Sequence, residues 1–183
     1  ADIFIHYQNT IQPTFNPNGT RETTRVSIAN DSSQANGQSH SPSLSSASGR
    51  FVAFVSAANN LVTGDTNNKE DIFIRDRSLN TTNRISVPHD IFGVPTGEAN
   101  DNSFSPHISS DGCYVVFASD ASNLNPLNAT GSLIADSNGK RDVFLYYNPE
   151  GENGCSGGEP YVELVSITPS GAAGNNDSYA PWF

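Results

Sequence analysis

Three copies of one sequence pattern run through this chain, and each copy holds the same three short segments in the same order. The first segment is DIFI or DVFL, at residues 2–5, 71–74 and 142–145. The second lies at residues 24–28, 83–87 and 163–167, and the third at residues 39–44, 103–108 and 178–183. A supersecondary unit of this size cannot bury its own faces, so neighbouring copies must stack. The pattern therefore predicts a repeat architecture.

Each whole unit contains four short stretches that are typical of β-strands, and none with a sustained helical period. The strands are predicted at residues 41–45, 51–55, 71–75 and 82–87, and then at 105–109, 114–118, 142–146 and 162–167. Residues 51–55 (FVAFV) are apolar on both faces, as expected for a strand covered on both sides. Four strands joined by hairpin turns favour propeller-type blades over a β-solenoid. We expect an all-β fold of consecutive four-stranded antiparallel blades, with little helix.

The repeat divides the chain into one array of blades. Residues 1–38 are a partial blade, residues 39–102 and 103–177 are whole blades, and residues 178–183 are the opening strand of a further blade. In blade order, the array starts at a third strand and stops at a first strand. The two partial blades are therefore complementary, although the second strand of the blade they would share is missing.

Several of these segments resemble a known repeat family. The segments are residues 41–44 (SPSL), 49–54 (GRFVAF), 60–62 (NLV) and 71–77 (DIFIRDR). They look like the TolB-like (WD40-like, PD40) β-propeller repeats of bacterial exported proteins. The resemblance covers nearly the whole chain outside the loop insertions, and it implies an interaction or scaffold module. The chain departs from the family in its long loops and in its blade count, because propellers generally have four to eight blades.

The composition restricts the classes of binding partner and the cellular locations that we expect for the protein. Nine Lys and Arg stand against nineteen Asp and Glu, for a net charge of -10. This balance argues against binding to nucleic acid or to anionic membranes, both of which recruit cationic side chains. No apolar run approaches the roughly 18 residues that span a bilayer. We expect an extracellular or cell-surface protein, with the periplasm as the alternative, and a chain without Met that is a processed product or a segment.

An acidic loop occurs twice with the same spacing. Its polar residues are Asp65, Asn67 and Asp71 in one unit and Asp136, Asn138 and Asp142 in the next. Calcium takes several oxygen ligands from one flexible loop, so these residues are candidate calcium ligands. The alternative is a structural turn in which Asp and Asn bond to their own backbone. Calcium is the one cofactor that the sequence suggests.

Covalent features are indicated at seven positions. Cys113 and Cys155 are expected to form a disulfide, which suits a secreted composition; two free thiols are the alternative. Sequons for N-glycosylation begin at Asn18, Asn30, Asn80, Asn128 and Asn176. Residues 154–158 match the G-x-S-x-G motif of serine hydrolases, but no His follows His107 in the chain. We therefore expect no enzyme.

Two functional hypotheses follow from the repeat. In the first, the protein is an extracellular structural protein that assembles head to tail by strand complementation, as a homo-oligomeric ring or as a filament. The residues expected to pair are Asp2, Ile3, Phe4, Ile5, Tyr179, Trp182 and Phe183. In the second, the chain is a fragment of a larger propeller that binds a protein, a peptide or a glycan.

Overall fold

The computed structural model describes residues 1–7, 22–45, 48–90, 92, 94–124, 136, 138–152, 154–156 and 158–183. The expected all-β fold is confirmed, because the described residues form strands and no helix. The strands are β1 (Phe4–Tyr7), β2 (Glu22–Arg25), β3 (Ser39–Leu44), β4 (Phe51–Ser56), β5 (Asp71–Asp76), β6 (Thr81–Arg84), β7 (Ser103–Ile108), β8 (Tyr114–Ser119), β9 (Asp142–Tyr147) and β10 (Tyr161–Leu164).

Three antiparallel sheets follow one another along the chain. Strands β3 to β6 form a four-stranded sheet in sequence order, and β7 to β10 form a second sheet of the same kind. Strands β1 and β2 form a two-stranded sheet that corresponds to the third and fourth strands of the others. We call these sheets blade 1 (β3 to β6), blade 2 (β7 to β10) and the half blade (β1 and β2).

The ends of two kinds of strand differ from the sequence prediction. The opening strands begin at Ser39 and Ser103, two residues earlier than predicted, and the fourth strands end at Arg84 and Leu164, three residues earlier. The fourth strand of blade 1 ends early because the Ser86 hydroxyl, and no longer a backbone carbonyl, accepts the Ile72 N–H at 2.9 Å. A side chain has replaced the backbone in the ladder at that point.

The core lies between the blades, as expected for sheets that are apolar on both faces. Strand β4 is buried over its whole length. One of its faces packs, with Ile72 and Ile74, against Val115, Phe117 and Phe144 of blade 2. Its other face packs, with Phe73, against Ile3 and Val26 of the half blade. The same stacked pair of rings occurs in both blades, Phe54 on Phe73 and Phe117 on Phe144, with centroids 5.8 and 5.7 Å apart.

A disulfide joins Cys113, which directly precedes β8, to Cys155 in the loop after β9, which is the pairing expected from the sequence. The loop passes the bridge without a side chain at Gly151, where a Cβ atom would lie 2.3 Å from the Cys155 sulfur. The next residue, Glu152, accepts hydrogen bonds from the hydroxyls of Ser45 and Ser48 in blade 1. The disulfide loop of blade 2 therefore also holds the neighbouring blade.

Residues 178–183, the expected opening strand of a further blade, pair with no second strand within the described residues and so are not a β-strand. Their backbone nevertheless follows that of the two opening strands. Ser41, Ser105 and Ala180 occupy the same repeat position and have φ of 50°, 50° and 46°. In β3 and β7, this left-handed residue lies within a β-bulge that shifts the register. The segment already has the shape of an opening strand.

Candidate functional site

In each of the three units, an Asp carboxylate and a Ser hydroxyl hold the start of the third strand. The hydroxyls of Ser27, Ser86 and Ser166 donate to Asp2, Asp71 and Asp142 at 3.2, 2.6 and 2.5 Å. Each hydroxyl also accepts the N–H of the residue after the Asp, at 2.9 to 3.1 Å. The last Asp of each acidic loop therefore has a structural role at the start of a third strand.

In the first acidic loop, a guanidinium lies among the carboxylates. The Nη1 atom of Arg84 lies 2.8 Å from Asp65, 3.3 Å from Asp71 and 3.0 Å from Glu98. The side chains of Arg84, Asp65 and Asp71 are all almost fully buried. One guanidinium therefore lies within ion-pair distance of three carboxylates, at a site that is largely shielded from solvent.

The third expected calcium ligand of this loop, Asn67, is engaged on both sides of its amide. Its N–H group donates to Asp71 at 2.9 Å and to the Ala99 carbonyl at 3.2 Å. Its oxygen accepts the Lys69 N–H at 2.9 Å. With Arg84 between the carboxylates, this loop is a closed network of side chains, and we propose no metal there.

Two carboxylates beside the shared guanidinium have different pKa values. Burial raises the pKa of Asp65 to about 6; Arg84 opposes this rise, and the charges of Asp71 and Glu98 add to it. Burial also raises the pKa of Glu98, but hydrogen bonds from the Thr66 hydroxyl and N–H, together with Arg84, outweigh it and hold that pKa at about 2. A weakly acidic carboxyl, that of Asp65, therefore lies beside a more strongly acidic one, that of Glu98.

A proton titration should separate these two acids. The carboxyl carbon of Asp65 is expected to titrate in the folded protein with a midpoint near pH 6 by NMR. The folded state then binds a proton that the unfolded chain releases near pH 3.8, so the contribution of Asp65 to stability falls as pH rises from about 4 to 6. The contribution of Glu98 is present above about pH 4.5 and is lost as pH falls towards 2. Asp65→Asn should remove the first slope and keep the second, and a midpoint near 4 would contradict the assignment.

The second acidic loop has the same frame but lacks the cation. Asn138 donates to Asp142 at 2.7 Å and to the Gly174 carbonyl at 2.6 Å, which matches the contacts of Asn67. The position of Arg84, opposite the third strand, is taken by Leu164. The position of Glu98 is taken by Ala173, which packs against the core.

Among the described residues, Asp136 is the one that this exchange leaves without a hydrogen-bond partner. It is 8% exposed, and no described residue makes a hydrogen bond to either of its carboxylate oxygens. Burial, and then the charge of Asp142, raise its pKa. The nearby backbone N–H of Asn138 acts in the opposite direction and lowers the pKa of Asp136, although its geometry does not meet the criteria for a hydrogen bond. Within the described ranges, no group of three or more His, Cys, Asp or Glu side chains is arranged to hold a metal ion.

The residues expected to pair in an assembly form two exposed surfaces. In the tail, Tyr179, Trp182 and Phe183 are all exposed, Trp182 to 81%. At the half blade, Phe4 is 54% exposed, while Ile3 is buried and Ile5 is half-buried. Asp2 is held there by Ser27 and lies 3.7 Å from Arg25.

An apolar cavity of about 190 Å³ lies beside the half blade. Its lining residues come from the half blade and from blade 1: Ile3, Phe4, Ile5, Val26, Pro42, Leu44 and Val52. In blades 1 and 2, the first and second strands complete the sheet next to the third strand. The half blade lacks these two strands among the described residues, so its edge and this cavity are open.

Three of the five sequons fall on described residues, and all three asparagines are exposed. Asn30 is held from both sides by the backbone of Thr82, at 3.1 and 2.6 Å. Asn80 accepts a hydrogen bond from Arg75, and Asn176 lies just before the tail. Asn18 and Asn128 lie outside the described residues.

Comparison with known proteins leaves the fold as the basis for any functional argument. No model of a known protein family matches the chain, and no curated protein is significantly similar to it.

In the part of the chain that the structure describes, no helix has the length and apolar character to cross a membrane. The disulfide is of the kind found in oxidising compartments, outside the cytosol of most cells.

The sequence motifs identified the acidic loops but missed the residues that distinguish them. Arg84 and Glu98 lie 13 and 27 residues after Asp71 in the chain and reach it only through the fold. A signal was present in the repeat, because Arg25, Arg84 and Leu164 occupy one position of the aligned fourth strands. An apolar residue where two units carry arginine marks the loop whose charge balance has changed.

Proposed function

We propose that this protein is a non-enzymatic structural module that assembles head to tail by blade complementation outside the cytoplasm. The tail of one copy would enter the open half blade of the next and supply its first strand. Each copy would then contribute two whole blades and one shared blade. Two copies would close a ring of six blades, within the usual range of four to eight. A filament is the alternative geometry if the contact does not close.

The observation that carries this proposal is the shape of the tail. The Ser178 N–H donates to the Arg141 carbonyl at 2.8 Å, as Ser39 donates to Ala1 at 2.8 Å and Ser103 to Glu70 at 2.7 Å. Together with the shared left-handed residue, this contact gives the segment the backbone shape of the two opening strands. A strand that is already ordered loses less conformational entropy on pairing.

The receiving surface has matching chemistry. The half blade presents Phe4 beside Leu44 of blade 1, and the cavity between them is lined mainly by apolar side chains. Insertion of the tail would cover these side chains together with Trp182 and Phe183. At about 25 cal/mol per Å² of apolar surface, aromatic residues of this size supply most of the driving force for such contacts. The second strand of the shared blade is missing among the described residues, so the polar groups of both strand edges would be paired where the tail lies directly beside β1.

Mass measurement of the purified 183-residue chain tests the proposal. We expect light scattering after size exclusion to give twice the 19.5 kDa of one chain, or a polymer, which electron microscopy would show as a ring or a fibre. Deletion of residues 178–183, or the double variant Tyr179→Ala and Trp182→Ala, should yield monomers.

A matched control separates strand complementation from general stickiness. Phe92 is 70% exposed and belongs neither to the tail nor to the residues that line the apolar cavity, so Phe92→Ala removes an exposed aromatic ring from outside both surfaces. This variant should assemble as the parent chain does. A folded parent chain that stays monomeric would overturn the assembly proposal.

The second candidate function is a binding module within a larger propeller of the TolB-like kind, whose further repeats would cover both open surfaces from the same chain. A groove of about 640 Å³ favours it, with Asn83, Arg84, Glu98 and Tyr146 in its wall. His89 also lines the groove, is buried, and has no hydrogen bond to its Nδ1 atom within the described residues. A monomeric chain that binds a peptide or a glycan, and loses the binding in His89→Phe, would favour this candidate over assembly.

A further inference from the structure

We propose that blade 2 binds a hard divalent cation of the calcium class between Asp136 and Asp142, at the place where the preceding unit uses an arginine. The inference is independent of the assembly proposed above. It rests on comparing one position of the fold in three successive units. In each unit this position lies on the fourth strand, opposite the second residue after the opening Asp of the third strand.

The first two units place a cationic side chain at this position. Arg25 lies 3.7 Å from Asp2 in the half blade, and Arg84 lies 3.3 Å from Asp71 in blade 1. In blade 2, the residue is Leu164, which is 1% exposed and belongs to the core. The opening Asp142 keeps its contacts to Asn138 and Ser166 and lacks the guanidinium.

The change leaves a second carboxylate, that of Asp136, buried without a cationic partner among the described residues. Asp136 corresponds to Asp65, whose oxygen lies 2.8 Å from the Arg84 guanidinium. With Leu164 in that place, no described residue makes a hydrogen bond to either oxygen of Asp136, although the residue is more than nine-tenths buried. Buried carboxylates in native proteins are paired, coordinated to a metal or neutralised by a proton. A bound cation restores the balance that Arg84 supplies in blade 1.

The ligand chemistry indicates the class of cation. The proposed ligands are the two oxygens of Asp136, which accept no hydrogen bond from a described residue, and Oδ2 of Asp142, which accepts one from Asn138. All three are hard donors, and the formal charge of the two carboxylates matches a divalent ion. Asn138 bridges Asp142 to the Gly174 carbonyl, which places a further oxygen at this side of the loop. Calcium tolerates irregular oxygen sets completed by water, whereas magnesium demands near-ideal octahedral geometry. Calcium is therefore favoured over magnesium.

A proton competes with the cation for the same oxygens, and the two readings make different predictions. If calcium binds, adding it to protein treated with EDTA at pH 7.5 should raise the Tm by about 5–10 °C at a hundred times its Kd. Isothermal titration should give one site per chain, and magnesium at the same concentration should produce a smaller shift. If a proton neutralises Asp136, calcium should leave the Tm unchanged.

Two variants and a control locate the effect. Asp136→Asn keeps the shape of the side chain and should abolish the calcium-dependent shift in Tm. Leu164→Arg restores the residue type of the first two units and should make the Tm independent of calcium. Asp65→Asn in blade 1 should alter the starting Tm and retain the full calcium response. Calcium binding that survives in Asp136→Asn would overturn the site.

A protonated carboxyl is the remaining account, and it has its own signature. In that case Asp136→Asn would raise the Tm equally with calcium and with EDTA, and the parent chain would show no binding heat. Either observation would overturn the proposal. A parent chain that binds calcium, paired with an Asp136→Asn chain that folds and does not, would establish it.

Discussion

Replacing Arg84 with leucine is expected to lower the free energy of unfolding by about 3–5 kcal/mol, because removing one partner of a buried ionic network leaves uncompensated charge. The Arg84 side chain is 7% exposed, and those of Asp65 and Asp71 are 4% and 0% exposed. Asp71 also holds the start of β5 through Ser86. Its carboxylate therefore cannot become solvated unless that end of the strand comes apart. Urea denaturation of the folded chain at pH 7.5 measures the loss.

The control for this prediction is an ion pair at the surface. Lys69 lies 3.0 Å from Asp101 with both side chains substantially exposed, so Lys69→Met should cost about 0–1 kcal/mol. The loss in Arg84→Leu should also shrink at pH 5, where Asp65 takes up a proton. An Arg84→Leu chain as stable as Lys69→Met would show that the carboxylates of blade 1 are neutral or solvated.

A double variant connects this result to blade 2. Arg84→Leu with Glu98→Ala gives blade 1 the residues that Leu164 and Ala173 provide in blade 2. It removes one of the three carboxylates together with the cation, so it should be less destabilised than Arg84→Leu alone. If blade 2 binds the proposed cation, blade 1 of the double variant should bind one as well, and the double variant should then acquire a calcium-dependent Tm.

The second large effect is expected from the disulfide. Cys113 and Cys155 are 42 residues apart, and closing a loop of this length in the unfolded chain is worth about 4 kcal/mol in the chain-entropy model. The double variant Cys113→Ser and Cys155→Ser should lose stability of that size. The bridge also positions Glu152, whose hydrogen bonds to Ser45 and Ser48 cross from blade 2 to blade 1.

Reduction of the parent chain provides the matched measurement. Urea denaturation in dithiothreitol should move the parent midpoint to that of the double serine variant and leave the variant unchanged. Glu152→Gln with the bridge intact should cost far less, because the amide oxygen still accepts from one hydroxyl and the amide N–H can donate to the oxygen of the other. A serine variant that unfolds with the parent in urea would show that the loop is held by its other contacts.

The repeat made the blades predictable, because hydrophobic period and turn residues are local properties of the sequence. Strand β4, which is apolar from Phe51 to Val55 and buried at every position, was identified together with its place between two sheets. The early ends of β6 and β10 were not predicted, because the residues after Arg84 and Leu164 continue the same apolar alternation. A serine hydroxyl, which enters the ladder only in three dimensions, ends the strand.

The candidate site was predictable only in part, for a related reason. The spacing of Asp65, Asn67 and Asp71 identified the loop, since those residues are close in the chain. The charge that Arg84 contributes comes from the neighbouring strand, and that of Glu98 from the connection to the next blade. Residues brought together across strands leave no local spacing, so the difference between the two loops emerges only when the repeats are superposed.

The bulge shared by β3, β7 and the tail bears on how this chain avoids uncontrolled aggregation. A flat, regular edge strand accepts almost any other extended segment, including an identical copy of itself. The left-handed residue at Ser41, Ser105 or Ala180 interrupts the regular ladder, and the register shifts there in both complete blades. An amyloid-like stack of identical tails would have to straighten this kink. The edge is therefore selective: it favours a strand with the matching offset and disfavours its own copy.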